Sequence, residues 1–219
     1  MSFGYGPLGD GDQPSAAQSQ AVSNRYQASF NAPETSSDQT WTCPRTGEYT
    51  IYAWGPGGKG EGTSSGFAGG SGALAIWQRV RFEAGDVVTV SVPGRQNATS
   101  GDTTVSTPRK ASVLTAGRGS DGTGSTGLAG VASNGDININ GSNGKPLATA
   151  GNAGGGTDGG PGTNNGAPGA PGYDGFRGGG GAGTTGYPAG TPGGGGRSSS
   201  AGDAQYYGGL GLVIICRDK

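Results

Sequence analysis

The sequence predicts an all-β protein: a β-sandwich-like domain, then a glycine-rich polyglycine-II helical bundle closed by a C-terminal β-strand. Three observations predict it. Apolar residues alternate with period two in several runs between residues 39 and 149, the pattern of half-buried strands. Glycine, 52 of 219 residues, falls into a three-residue register in the later part of the chain. The most apolar run, Leu210-Gly-Leu-Val-Ile-Ile-Cys216, stands at the C-terminus.

The strands come first. Glu48 to Trp54 sets Tyr49, Ile51 and Ala53 against Thr50, Tyr52 and Trp54. Ala73 to Glu83 sets Leu74, Ile76, Val80 and Phe82 against Ala75, Trp77, Arg79 and Arg81. The turn Glu83-Ala-Gly-Asp86 leads into Val87 to Val92, with Val88, Val90 and Val92 on one face, which reads as a hairpin. Shorter strands are expected at Thr103 to Ser106, Ala111 to Ala116 and Asp136 to Asn140, the last followed by a turn at Gly141-Ser-Asn-Gly144. Residues 210–219 should return to this domain as a buried strand.

Between them lies the tract 150–209. From Gly166 to Gly183 it reads GAP GAP GYD GFR GGG GAG, and a shorter register, GTP GGG GRS, starts at Gly190. Three residues per turn is the polyproline-II period, which leaves every N–H and C=O pointing outward with no internal hydrogen bond. Such a chain is ordered only when neighbours take those bonds. A collagen triple helix is disfavoured because the triplets are few and the register breaks at Thr184-Thr185. A bundle of antiparallel glycine helices folded from one chain fits better, since glycine at every third position lets backbones touch. Ordering costs about 1–2 kcal/mol per residue, and each hydrogen bond returns about 0.5–1.5 kcal/mol. The bundle therefore needs clamping by the β domain and the returning strand.

Residues 1–38 are polar, with Val22, Tyr26 and Phe30 spaced by four as on one stripe of a short helix. They form an extended attachment leader, either flexible or ordered against a partner. Cys43 and Cys216 are read as two buried free thiols, with a bridge closing the domain as the alternative.

Composition removes whole classes of function. With 14 basic and 15 acidic residues spread without runs, nothing marks a nucleic-acid or anionic-membrane partner. The start MSFGYGPLGDGD has no basic and apolar regions of a signal peptide, and no apolar stretch is long enough for membrane insertion. There is no histidine, which removes the commonest general base and metal ligand. Gly141-Ser-Asn-Gly144-Lys145-Pro146 fails as a phosphate loop because Pro stands where Ser or Thr should hold the metal. Asp10-Gly-Asp12 and Thr157-Asp158-Gly-Gly160 lack the further acidic ligand of a calcium loop. A non-enzymatic protein without cofactor or metal is expected. The candidates for binding are Tyr173, Phe176, Arg177, Tyr187, Tyr206 and Tyr207, carried on glycine loops where an aromatic costs little entropy to use. The same rings could instead shield the glycine helices from water.

Two stretches carry a resemblance. Trp41-Thr-Cys-Pro-Arg-Thr-Gly-Glu-Tyr-Thr-Ile-Tyr-Ala-Trp-Gly-Pro-Gly-Gly58 and Ala84-Gly-Asp-Val-Val-Thr-Val-Ser-Val92, followed by glycine repeats and a final apolar strand, resemble the glycine-rich domain of phage tail fibres. The likeness covers residues 41–117 and 208–216. Ala84 stands where Pro is usual, and Pro93 replaces the common Gly. The tract is similar to the distal adhesins of T-even-type phages, in which loops between polyglycine-II helices recognise the bacterial surface. The resemblance implies a virion protein assembled in the host cytoplasm. Its leader, with Val22, Tyr26 and Phe30 as attachment candidates, would bind other virion proteins, and its tip a bacterial glycan or outer-membrane protein. A homotrimer is the usual symmetry of such fibres. The alternative function is a purely structural virion component, a head fibre, decoration or tail cap protein, with the glycine tract as a rigid scaffold. A cellular ice- or surface-binding protein is a third reading, for which the Arg and Tyr interruptions of the tract speak badly.

Overall fold

A computed structural model describes residues 26–31, 38–61, 67–93, 101–144, 192–195 and 208–218. These residues are all-β, ten strands in two antiparallel sheets with no helix among them. The strands are β1 Tyr26–Asn31, β2 Gln39–Thr42, β3 Gly47–Trp54, β4 Leu74–Phe82, β5 Val87–Ser91, β6 Thr103–Thr107, β7 Lys110–Ala116, β8 Ala132–Ser133, β9 Ile137–Ile139 and β10 Leu212–Arg217. One sheet runs β1-β10-β3-β4-β9 and the other β2-β5-β6-β7-β8. Valines and aromatics at alternate positions supply the core between them. At one end Trp41, Tyr49 and Phe82 meet edge to face, with ring centroids 5.1 to 5.9 Å apart. The buried Tyr49 hydroxyl donates to the Arg45 carbonyl at 2.7 Å, and burial pushes its pKa up to about 12.

The C-terminal run behaves as expected. It is β10, inserted between β1 and β3, with Val213 and Ile215 wholly buried in the inter-sheet core. The two cysteines are not bridged: Cys43 is buried, its thiol donating to the Arg45 carbonyl at 3.0 Å, and Cys216 is half-buried in β10.

Three expectations change. Residues 26–31 are not a helical stripe but the edge strand β1, paired antiparallel to β10 from Tyr26 opposite Cys216 to Asn31 opposite Leu212. Spacing by four had suggested a helix, yet Ala28 and Phe30 alternate onto the core. The leader therefore loses its last strand to the sandwich; Val22 and residues 1–25 lie outside the described residues.

The hairpin at Glu83–Asp86 is also not formed. β4 is flanked by β3 and β9 and β5 by β2 and β6, so the turn crosses from one sheet to the other. Gly85, at φ 92°, and the Asp86 carboxylate, which accepts from the Glu83 amide at 2.8 Å, shape this arch.

The third change is one of phase in β4. Tyr49 faces Val80 but Ile51 faces Trp77, so β4 carries one extra residue there, a bulge centred on Arg79 at φ 50°. Trp77 and Val80, three residues apart, consequently both enter the inter-sheet core. Leu74 and Ile76 lie on the opposite face with Tyr52, Trp54 and Ile214 in a second buried cluster.

Candidate functional site

Six strand ends run directly into glycine-rich segments at one end of the sandwich: the ends of β3, β7 and β9 and the starts of β4, β8 and β10. None of these segments is a β-strand, yet their backbones are closely hydrogen-bonded. The segment 67–73, entering β4, is central. Its consecutive amides donate to different neighbours: Gly70 to Ser120 O at 3.0 Å, Ser71 to Ser142 O at 3.0 Å and Gly72 to Gly193 O at 2.8 Å. Ala73 then returns to the first neighbour, donating to Gly117 O at 3.0 Å.

The carbonyls obey the same step. Ala68 O and Ser71 O accept from Gly127 and Gly130, while Gly70 O and Ala73 O accept from Gly58 and Gly55. One backbone is thus bonded to five others, with contacts to each recurring every three residues where they recur. The outer segments bond among themselves in the same rhythm: Gly119 and Gly122 donate to Pro56 O and Lys59 O, and Gly141 and Gly144 to Gly130 O and Gly127 O. Close approach demands glycine here. A Cβ on Gly70 would overlap the Leu128 carbonyl oxygen, and one on Gly119 that of Gly70.

Small polar side chains take the amides that carbonyls leave over. Asn140 Oδ1 accepts from Ala132 N at 3.0 Å and Asn143 Oδ1 from Ala129 N at 2.7 Å, two asparagines three residues apart facing two amides three residues apart. Ser71 Oγ accepts from Ser142 N at 2.9 Å. The Gly141–Gly144 stretch is therefore an extended member of this network and not the turn that its composition suggested.

Charged side chains beside these segments are half-buried and paired. Arg118 and Asp121, three apart, form an ion pair, and Asp121 also accepts from the Lys59 amide at 3.0 Å with the Lys59 ammonium at 3.9 Å. At the far end of the sandwich Arg109 holds the arch, its Nε 2.5 Å from Asp86 Oδ2, its Nη2 2.9 Å from Asp86 Oδ1 and 3.0 Å from Glu83. The Arg109 hydrogen bonds, reinforced by the Glu83 amide, hold the Asp86 carboxyl below its ordinary range, and Arg109 is shifted upward in turn.

Of the tract, Pro192–Gly195 and Gly208–Gly209 are described, and with Leu210 they join the network: Gly193 donates to Leu210 O, Gly209 to Gly194 O and Gly57 to Gly209 O. The candidates Tyr173, Phe176, Arg177, Tyr187, Tyr206 and Tyr207 all lie outside the described residues. What sequence reasoning missed is the contribution of 55–61, 67–73, 117–131 and 141–144, placed within the sandwich-like domain. The spacing Gly117-x-Gly119-x-x-Gly122 and the Asn-Gly pairs at 140 and 143 were the available signals.

No protein-family model matches the chain, and no curated protein aligns with it.

Proposed function

We propose that this chain is a non-enzymatic appendage protein of a bacteriophage particle, a tail-fibre or tail-tip adhesin that recognises the host surface. The single observation that carries the reading is the period-three bonding of segment 67–73, which is what a polyglycine-II bundle requires of its central helix. Lattices of this kind position what they carry without a large hydrophobic core, and this one is joined to the sandwich through six strand ends. The aromatic and basic residues of the tract 150–209 meet the receptor. The resemblance at 41–117 and 208–216 agrees with this, since those stretches supply most of the sandwich and its glycine segments. Residues 1–25 attach the protein to other virion components, and assembly takes place in the host cytoplasm.

Deleting residues 166–190 tests it. Particles carrying the deletion are expected to assemble with the shortened protein incorporated but to lose adsorption to host cells. Normal adsorption would overturn receptor binding and leave the rigid structural component. Replacing Tyr173, Phe176 and Tyr187 together by Ala separates the rings from the backbone, since a purely structural tract would tolerate it.

A further inference from the structure

We propose that the outer face of the second sheet is a docking surface for a neutral glycan; the inference deepens the adhesin reading and rests on it. Residues pointing away from the core on β2, β5, β6, β7 and β8 are hydroxyl-bearing in two ladders that cross the strands. Thr40, Thr89 and Ser106 stand opposite one another in the first. Ser91, Thr104, Thr115 and Ser133 do so in the second. The ladders are two residues apart along β5 and β6. With strands about 4.8 Å apart and alternate residues about 6.7 Å apart, the hydroxyls make a two-dimensional grid.

The chemistry of that grid points to its occupant. Apart from a 3.4 Å contact of Thr115 to the Val113 carbonyl, these hydroxyls make no hydrogen bond within the protein among the described residues. Each can both donate and accept, the capacity that a sugar hydroxyl matches. Val87 and Val113, 47% and 43% exposed, add apolar ground for the C–H face of a sugar ring. No charged side chain stands in either ladder, and the cations at the ends of the sheet are already paired, Arg109 with Asp86 and Glu83 and Arg118 with Asp121. A surface neutral over this span complements an uncharged polysaccharide and offers nothing to a charged one.

An array of neutral hexose and N-acetylhexosamine oligosaccharides, with sialylated and sulfated members beside them, tests this on the full chain. The protein should be retained by neutral members. Replacing Thr89, Thr104 and Thr115 together by Val, which keeps strand propensity and shape, should weaken retention roughly tenfold or more. Circular dichroism and the melting temperature of this variant should match the parent. Thr104→Glu, a charge set into the grid, should abolish retention. Retention by anionic members alone, equal retention of the triple variant, or no retention at all would each overturn the proposal. So would sedimentation showing that the parent self-associates through this face and Thr104→Glu is monomeric. Particles that adsorb through the tract while the array stays empty would defeat this face alone. Array binding without particle adsorption would defeat the adhesin reading alone.

Discussion

Gly119 lies against Gly70 so closely that a Cβ on Gly119 would overlap the Gly70 carbonyl oxygen. The obstruction is backbone, so no rotamer change relieves it, and the segments must part. Gly119→Ala is therefore expected to destabilise the protein by about 1–3 kcal/mol, the range for overpacked sites. Gly101, exposed and with nothing among the described residues within 4 Å of where a Cβ would stand, is the control. Gly101→Ala should be within about 0.5 kcal/mol of the parent, or slightly stabilising through the unfolded chain. Denaturant unfolding of the two variants distinguishes a packed lattice from a loose glycine loop, in which both would behave alike.

Arg79 occupies the left-handed region, at φ 50°, because the β4 bulge requires it there. A side chain pays about 1–2 kcal/mol for that conformation and glycine does not. Arg79→Gly should thus raise stability by roughly 0.5–1 kcal/mol after the extra freedom of the unfolded chain is subtracted. Arg79→Val, β-branched at positive φ, should lower it by about 1–2 kcal/mol. Chemical denaturation midpoints at constant m-value check both signs.

The bulge also marks where the sequence ceased to be legible. Strand existence followed from alternation, and β3, β4, β5, β6, β7, β9 and β10 lie within a residue or two of the expected runs. Which face each residue takes did not, because one inserted residue at Arg79 inverts the phase and nothing in Gln78-Arg79 announces it. Pairing partners were equally hidden. Glu83-Ala-Gly-Asp86 has hairpin composition, but its Asp86–Arg109 clamp comes from the turn between β6 and β7, which local sequence does not reveal. A period of three was read only where glycine recurs in long runs, most of which lie outside the described residues. Segment 67–73, with Phe67, Ala68, Ser71 and Ala73 among three glycines, repeats its backbone bonds every third residue without such a run.

That clamp sets an acid dependence. Because Arg109 holds the Asp86 pKa below its ordinary value, the folded state binds the carboxylate's proton less readily than the unfolded chain. The stabilisation is present above the unfolded Asp value, near pH 4, and is lost as pH falls through the lowered folded value. The melting temperature should decline more steeply on acidification below about pH 4 in the parent than in Asp86→Asn. Melting curves from pH 5 to 2 would refute the linkage if the two declines were parallel.

The assignment of residues 26–31 to the sandwich gives the last prediction. Phe30 is opposite Val213 and packs on the inter-sheet core, and β1 supplies one of the two hydrogen-bonded flanks of β10. A chain beginning at Tyr26 retains those bonds, whereas one beginning at Gln39 leaves β10 as an open edge and uncovers Ala28 and Phe30's share of the core. The first truncation should melt within a few degrees of the full chain. The second should melt well below it, since losing an aromatic from a core alone costs about 3–5 kcal/mol when fully buried and a good part of that when half-buried, and the exposed edge should promote aggregation. Phe30→Ala separates packing from pairing: it should account for part of the loss while the protein stays monomeric. Equal melting of all three chains would return residues 26–31 to the leader, and would make particle attachment, rather than the sandwich, the reason for Tyr26 and Phe30.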